Sequence, residues 1–189
     1  MNKMKTITRK EAKNLLKQRI VKTFTRYERR AILEELWLFC DKEERFDAED
    51  LAFYPKEIRL EMLAQDAPTN PDDPKYDFII AERISPNLHM GIRNEYLMKL
   101  LQEEGQKVDR VVGENEKLEI CVCCNYRTIS PGVEGRGESC PVCYWTNASE
   151  KANRMSLEQA RNNFRAFGAI DRGLLLAIDP DGREKFDRS

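Results

Sequence analysis

Five of the six cysteines of this chain crowd into residues 121–143 as two pairs of the same form. Cys121-Val122-Cys123-Cys124 holds one C-x2-C pair, Cys121 with Cys124. Cys140-Pro141-Val142-Cys143 holds the second, Cys140 with Cys143, after a gap of fifteen residues. Two such pairs at that separation have the spacing of a four-thiolate structural zinc site. Each pair supplies a knuckle, a tight turn that aims two sulfurs at one point. Two knuckles converging with a strand hairpin between them give tetrahedral S4 geometry, which suits zinc better than any hard cation. Pro141 fixes φ where the second knuckle must bend. Asn125 follows the first, and Asn tolerates the left-handed conformation that glycine usually provides there. The expected ligands of one structural Zn2+ are therefore Cys121, Cys124, Cys140 and Cys143. The competing reading is a cluster of buried or redox cysteines. Cys123 lies between two ligands, so its side chain should point away from the metal. Two roles stay open for it: a small packed hydrophobe, or an exchangeable fifth ligand or reactive thiol beside an electropositive site.

The rest of the composition sets bounds. At 189 residues the chain can be one domain or two small ones. Its charged fraction of 34% and mean hydropathy of −0.67 describe a very polar, soluble chain. No run of 18 apolar residues is present to span a membrane. Met1 to Lys13 lacks the apolar core of a signal peptide, so a cytoplasmic location is expected. There thiols stay reduced, which favours metal over disulfides. The net charge of −1 argues against a dedicated nucleic-acid binder. That total hides segregation: residues 1–33 carry a net +9 and residues 34–82 a net −10. The two blocks either face each other within one fold or are solvated; the functional alternative is an acidic surface that binds a basic partner, or a basic first helix that touches phosphate.

Taken in order, Thr8-x-x-Glu11 and Thr25-x-x-Glu28 are capping boxes. The first predicts a helix over 9–23, with Ala12, Leu15, Leu16 and Ile20 inward. The second opens a helix through Leu33, Leu36, Trp37, Phe39 and Cys40 whose second half is apolar nearly all round, with Trp37 and Cys40 read as core. Pro55 suits the first turn of a helix through Leu63. Residues 67–74, with three prolines, form a loop. Tyr76 to Ile84 is a short apolar helix, and His89, the one histidine, is a loop residue. Asn94 to Glu104 is a helix stopped by Gly105. The period then changes: Val108, Val111 and Val112 predict a strand, and short strands enter and leave the first knuckle. Tyr144 and Trp145 are placed to shield the sulfurs. Ser156-x-x-Gln159 opens a helix with Leu157, Ala160, Phe164 and Phe167 on one face, and Arg154, Arg161 and Arg165 on another. Leu174 to Ile178 reads as a last apolar element, and the seven C-terminal residues as frayed.

Residues 121–171 resemble the cysteine-rich CPCC family. The resemblance is carried by the C-x-C-C cluster, the following Asn125-Tyr126-Arg127-Thr128, Cys140-Pro141-Val142-Cys143-Tyr144-Trp145, and Ser156 to Phe164 ending at Phe167-Gly168-Ala169. Val122 and Asn125 depart from the Pro and Gly the family usually has there, but every sulfur is kept. The resemblance implies a bacterial metal-binding fold rather than an activity. Members of this kind resemble genes beside bacterial toxins, which implies an immunity role.

The expected architecture is α+β: a helical domain over 1–106, then a cysteine-rich, zinc-ribbon-like β unit with a flanking helix over 107–189. No catalytic constellation is apparent, and a four-cysteine site has no open position at which to activate water. The expected function is that of a non-enzymatic, zinc-binding protein that inhibits a protein partner, a toxin, through an acidic patch in residues 41–73. A nucleic-acid-binding zinc module with a regulatory role is the alternative, and a thiol-redox protein using Cys123 is a third.

Overall fold

In the computed structural model of the chain, the described residues are 5–38, 54–64, 67–85, 88–132, 137–147 and 150–189. They form the expected α+β mixture of helices with two small two-stranded sheets. The chain divides into two compact units, one of residues 10–88 and the other of residues 1–9 with 89–189.

The unit of residues 10–88 is helical. Helix α1 spans Arg9–Thr23 and α2 spans Arg26–Leu38. Thr25 separates them and closes the second capping box in both directions. Its backbone N–H donates to the Glu28 carboxylate at 2.7 Å, and the Glu28 N–H donates to Thr25 Oγ1 at 3.3 Å. Helix α3, Lys56–Ala64, begins with the Arg59 N–H on the Pro55 carbonyl. A 3₁₀ turn at Pro74–Tyr76 leads into α4, Asp77–Arg83. The helical periodicity turns Val21, Leu33, Leu36, Ile58, Met62, Tyr76, Ile79 and Ile80 into one core. Trp37 joins it edge-on to Tyr76, with ring centroids 5.9 Å apart, as its core reading expects. Phe39 and Cys40 lie outside the described residues, as do Asp41, Glu43, Glu44, Asp47, Glu49 and Asp50.

Within this unit the acidic 72–73 loop is used internally rather than left as a free patch. Arg26 pairs with Asp72 at 2.5 Å, and Asp73 caps the 3₁₀ turn by accepting from the Lys75 N–H at 3.0 Å. The buried Arg29 donates from Nε to the Pro71 carbonyl at 2.7 Å and pairs with Asp77 at 2.8 Å. Arginines of the basic block thus reach this part of the acidic block.

In the second unit, β1 (Thr6–Thr8) pairs in parallel with β2 (Arg110–Val112), placing Ile7 opposite Val111. Helix α5, Asn94–Glu103, packs on β2, with Tyr96, Leu97 and Leu101 buried. Strands β3 (Glu119–Ile120) and β4 (Arg127–Ile129) form an antiparallel hairpin around the first knuckle. Then come α6 (Glu150–Asn153), α7 (Leu157–Phe167), a 3₁₀ turn at Arg172–Leu174, and α8 (Gly182–Lys185). The division between units at 88/89 differs from a boundary at 106/107. Contacts distant in sequence hold residues 1–9 and 89–106 to this unit: β1 on β2, Arg93 N–H on the Lys185 carbonyl at 2.8 Å, and Tyr96 Oη on Asp181 at 2.9 Å.

Arg9 is the buried tie at the head of this unit, 6% exposed. Its guanidinium donates to the carbonyl of Ile92 at 2.5 Å and to Asn94 Oδ1 at 3.0 Å, and it pairs with Glu116. Glu116 also accepts from the Gly91 N–H at 2.9 Å. His89 lies in the adjoining loop at φ 60°, as a loop residue.

Two expectations for the C-terminus are corrected. Leu174 to Ile178 is not a buried apolar element. Its residues make successive turns that leave Leu176 fully exposed and Leu175 41% exposed. The last residues are not frayed: Phe186 bridges to Ile92 and Arg188 to Tyr126. Arg127 N–H donates to the Asp187 carbonyl at 2.8 Å, and Ser189 N–H to that of Asn125 at 2.9 Å. Backbone pairing to the first knuckle, not local sequence, orders this segment. No described helix is long and apolar enough to cross a membrane.

Candidate metal centre

Each cysteine pair lies in a turn of the same form. In the first, Cys121 N–H donates to the Tyr126 carbonyl at 2.8 Å, and Asn125 N–H donates to the Cys121 carbonyl at 2.9 Å. In the second, Cys140 N–H donates to the Trp145 carbonyl at 2.9 Å, and Tyr144 N–H donates to the Cys140 carbonyl at 2.8 Å. The residue after each second cysteine is left-handed, Asn125 at φ 64° and Tyr144 at φ 68°. Asn125 does what its identity predicts. Tyr144 occupies the same strained position in the second knuckle, so Trp145 rather than Tyr144 is the deeply buried wall of the site.

The turns bring Cys121, Cys124, Cys140 and Cys143 together, with their sulfurs all within 4.8 Å of one another. Cys121 Sγ lies 3.7 Å from Cys143 Sγ, and Cys124 Sγ 3.6 Å from Cys140 Sγ. A tetrahedral zinc with Zn–S bonds of about 2.3 Å requires sulfurs about 3.8 Å apart, so this donor set fits such an ion. All four cysteines are 2% exposed or less, and no disulfide joins them. Among the described residues this is the one grouping of histidine, cysteine and carboxylate side chains that can hold a metal ion.

The sulfurs are also provided with donors. Val142 N–H points at Cys140 Sγ (3.4 Å) and Trp145 N–H at Cys143 Sγ (3.5 Å). The Thr128 hydroxyl lies 3.1 Å from Cys140 Sγ. Donors of this kind favour the thiolate form a metal ligand needs and orient it. Thr128 stands at no ligand spacing from Cys140; its place on the strand leaving the first knuckle, in the Asn125–Thr128 run of the resemblance, hints at it. Crowding the thiols spreads their acidities. Hydrogen bonding from Cys121, then Cys124 and Cys143, pushes the Cys140 thiol far down. Hydrogen bonding to Cys121, then to Cys123 and Cys124, pushes Cys143 far up.

Helix α7 binds the two knuckles together. Its capping box forms in both directions, Ser156 Oγ accepting from Gln159 N–H and the Gln159 side chain from Ser156 N–H. Gly168 ends it at φ 95°, a left-handed value that suits glycine. Ala160 and Phe164 pack on the cysteine core with Ile129, Trp145 and Ile170. The Arg161 guanidinium donates twice to the Val122 carbonyl of the first knuckle, at 3.1 and 2.8 Å. Ile170 N–H donates to the Cys143 carbonyl of the second at 2.9 Å.

Cys123 is 5% exposed and packed in the same core, outside the four-sulfur set. Hydrogen bonding to Cys143 lowers its thiol pKa, and the charge of Arg161 adds to this against the opposing effect of burial.

No curated protein and no solved structure matches the chain. A family model does match, over a segment that runs from β3 through both knuckles and α7 into α8. The matching model is that of the family Cysteine-rich CPCC, and it covers residues 119–184 of this chain.

Proposed function

We propose that the four-cysteine centre holds one structural zinc ion, and that the chain is a non-enzymatic binding protein whose partner is another protein. The observation that carries the proposal is the enclosure of the four sulfurs at tetrahedral separations by two matching turns. A closed set of four thiolates leaves no position for substrate or activated water, so the metal contributes folding energy rather than chemistry. The thiolates' softness favours zinc over magnesium or calcium.

The charge distribution supports a basic partner. Residues 34–82 carry a net −10, and the 72–73 loop is engaged with Arg26 and the adjoining turn. The other acidic residues of the proposed 41–73 patch, those at 41–50, lie outside the described residues. An acidic surface suits fast, steered capture of a basic protein. Nuclease toxins are basic because they hold phosphate, so an immunity-type inhibitor of such a toxin is the specific form we propose. Metal analysis of tag-free, full-length protein tests the first half: one zinc per chain is expected, and well under one would overturn it. The second half is tested by capture of the neighbouring gene's product. Reversal of Glu43, Glu44, Asp47 and Asp50 to lysine should slow association and flatten its salt dependence. An unchanged rate in that variant would remove the acidic surface from the proposal.

A further inference from the structure

The first knuckle, helix α7 and the C-terminal run line a pocket of about 460 Å³, open to solvent, whose wall carries four exposed arginines, Arg161, Arg165, Arg183 and Arg188. We propose that this cavity binds a small phosphate-bearing molecule through those guanidiniums. This goes beyond the zinc and the protein partner, and it concerns residues other than those of the acidic segment.

Three observations carry it. The first concerns the pairing of the four charges. Among the described residues, none of the four arginines makes an ion pair with a carboxylate. Four like charges around one cavity repel each other, and an anion in the cavity relieves that repulsion.

The second is that the guanidiniums are positioned by neutral groups. Arg161 is held on the Val122 carbonyl, and Arg165 on Asn162 Oδ1 at 3.1 Å. Arg183 stacks on the Phe164 ring with its guanidinium carbon 4.9 Å from the centroid, and Arg188 on Tyr126 at 5.7 Å. Fixed in this way they keep N–H donors for a ligand, and the planar fork of arginine matches the oxygens of a phosphate.

The third is shape. The two ring faces that could stack a base are already covered by Arg183 and Arg188, so the site recognises phosphate oxygens rather than a nucleobase. The concave volume suits a molecule the size of a diphosphate, not a duplex. The proposed zinc does not remove the need for a ligand. Four thiolates around a divalent ion carry a net −2, which offsets two of the four arginines and leaves two.

The experiment is calorimetric titration of full-length, metal-loaded protein with inorganic pyrophosphate near physiological salt, with metal content read on every sample. Saturable binding that weakens with added salt is expected. The Arg165→Ala/Arg183→Ala double variant should weaken it by about tenfold or more while keeping its metal and its circular dichroism. The matching Arg→Lys variant, which keeps charge but loses the fork, should fall between. A nucleoside diphosphate should compete as well as pyrophosphate. Absence of binding at millimolar pyrophosphate, or equal binding by the double variant, would overturn the inference. Loss of metal in the double variant would also overturn it, because the arginines would then serve the charge of the cysteine centre. So would a single-stranded oligonucleotide that binds at the arginines more tightly than any small phosphate. Protein found without zinc that still binds pyrophosphate through these arginines would sink the zinc proposal and leave this one standing.

Discussion

Asn125 and Tyr144 hold the same left-handed backbone conformation at equivalent positions of two turns, φ 64° and φ 68°, one on each side of the four-sulfur cluster. An L residue in that region costs about 1–2 kcal/mol, less for Asn, whose side chain bonds locally. Asn125→Gly is therefore expected to stabilise the metal-loaded domain slightly, by up to about 1 kcal/mol. Asn125→Val, β-branched at positive φ, should lower stability by roughly 2 kcal/mol. Thermal unfolding with the metal bound checks both, and a valine variant that melts with the parent would remove the turn from the account.

Cys140 is the sulfur most surrounded, with Thr128 and the Val142 N–H as donors and Cys124 Sγ at 3.6 Å. Cys140→Ser should release the metal. A structural centre of this kind contributes on the order of 10 kcal/mol to folding, far more than a small domain's whole stability. Residues 119–184 should lose their hydrogen-exchange protection, while the helical unit of residues 10–88, with its own core, keeps its helical dichroism. Retained protection across 119–184 in the serine variant would show that the domain folds without its metal.

Arg9 ties residues 89–94 to Glu116 from a position 6% exposed. Truncation to Ala leaves the Ile92 carbonyl without its donor and Glu116 without its countercharge. Because Glu116 is about a third exposed, the cost falls below that of a fully buried pair, at about 2–3 kcal/mol. Chemical denaturation of Arg9→Ala measures this, and a double-mutant cycle with Glu116→Gln isolates the pair. Additive effects in the cycle would mean that the two residues do not act together.

Tyr76 gives the helical unit an alkaline limit. Its hydroxyl donates to Glu61, which also holds Lys75 at 2.7 Å. Burial, with the Glu61 hydrogen bond adding to it, pushes the phenol up from 10.0 to about 12. A raised folded pKa means that this stabilisation is fully present below pH 10 and is lost as pH climbs from 10 to about 12. The shift corresponds to roughly 3 kcal/mol. Trp37 lies edge-on to Tyr76 and reports the transition by fluorescence in a Trp145→Phe background. Tyr76→Phe should remove the pH dependence within that window; the same slope in the variant would assign it to another group.

What was legible in the sequence was what short-range chemistry determines. The Thr25–Glu28 and Ser156–Gln159 boxes form because each partner lies one helical turn from the other. The four converging cysteines were legible because a knuckle is a local turn, so spacing indicates which sulfurs meet. Two knuckles must still meet across residues 125–139, and the hairpin of β3 and β4 carries part of that path. What was hidden is long-range. Nothing near Phe186 or Arg188 announces that the C-terminal run pairs with Ile92 and Tyr126, so a charged tail read as frayed. The same return path brings Arg183 and Arg188 beside Arg161 and Arg165, which share one helix and were visible as a stripe. Thr6 to Thr8 is a strand only because Arg110 to Val112 is there to pair with it.

Cys123 separates a packing role from a chemical one. It is 5% exposed, between two cysteines of the four-sulfur set, and sits in the core with Trp145 and Phe164. Its thiol is nonetheless held low, through its hydrogen bond to Cys143 first and the Arg161 charge beside it, and it lines the arginine cavity. A lowered pKa makes a thiol reactive only as far as a reagent can reach it, and at 5% exposure this thiol offers little surface. Once Cys143 is committed to a metal, its hydrogen bond to Cys123 competes with coordination, so the packed role should prevail. Cys123→Ala is therefore expected to keep one metal per chain and to cost about 1 kcal/mol or less. Substituted cobalt should give the same tetrathiolate absorption in the variant as in the parent, because the same four sulfurs coordinate it. In the metal-loaded parent, Cys123 should alkylate slowly, and faster only after a chelator has removed the metal. Rapid alkylation of Cys123 in the loaded protein, or a changed cobalt spectrum in Cys123→Ala, would show that this thiol takes part in the centre's chemistry.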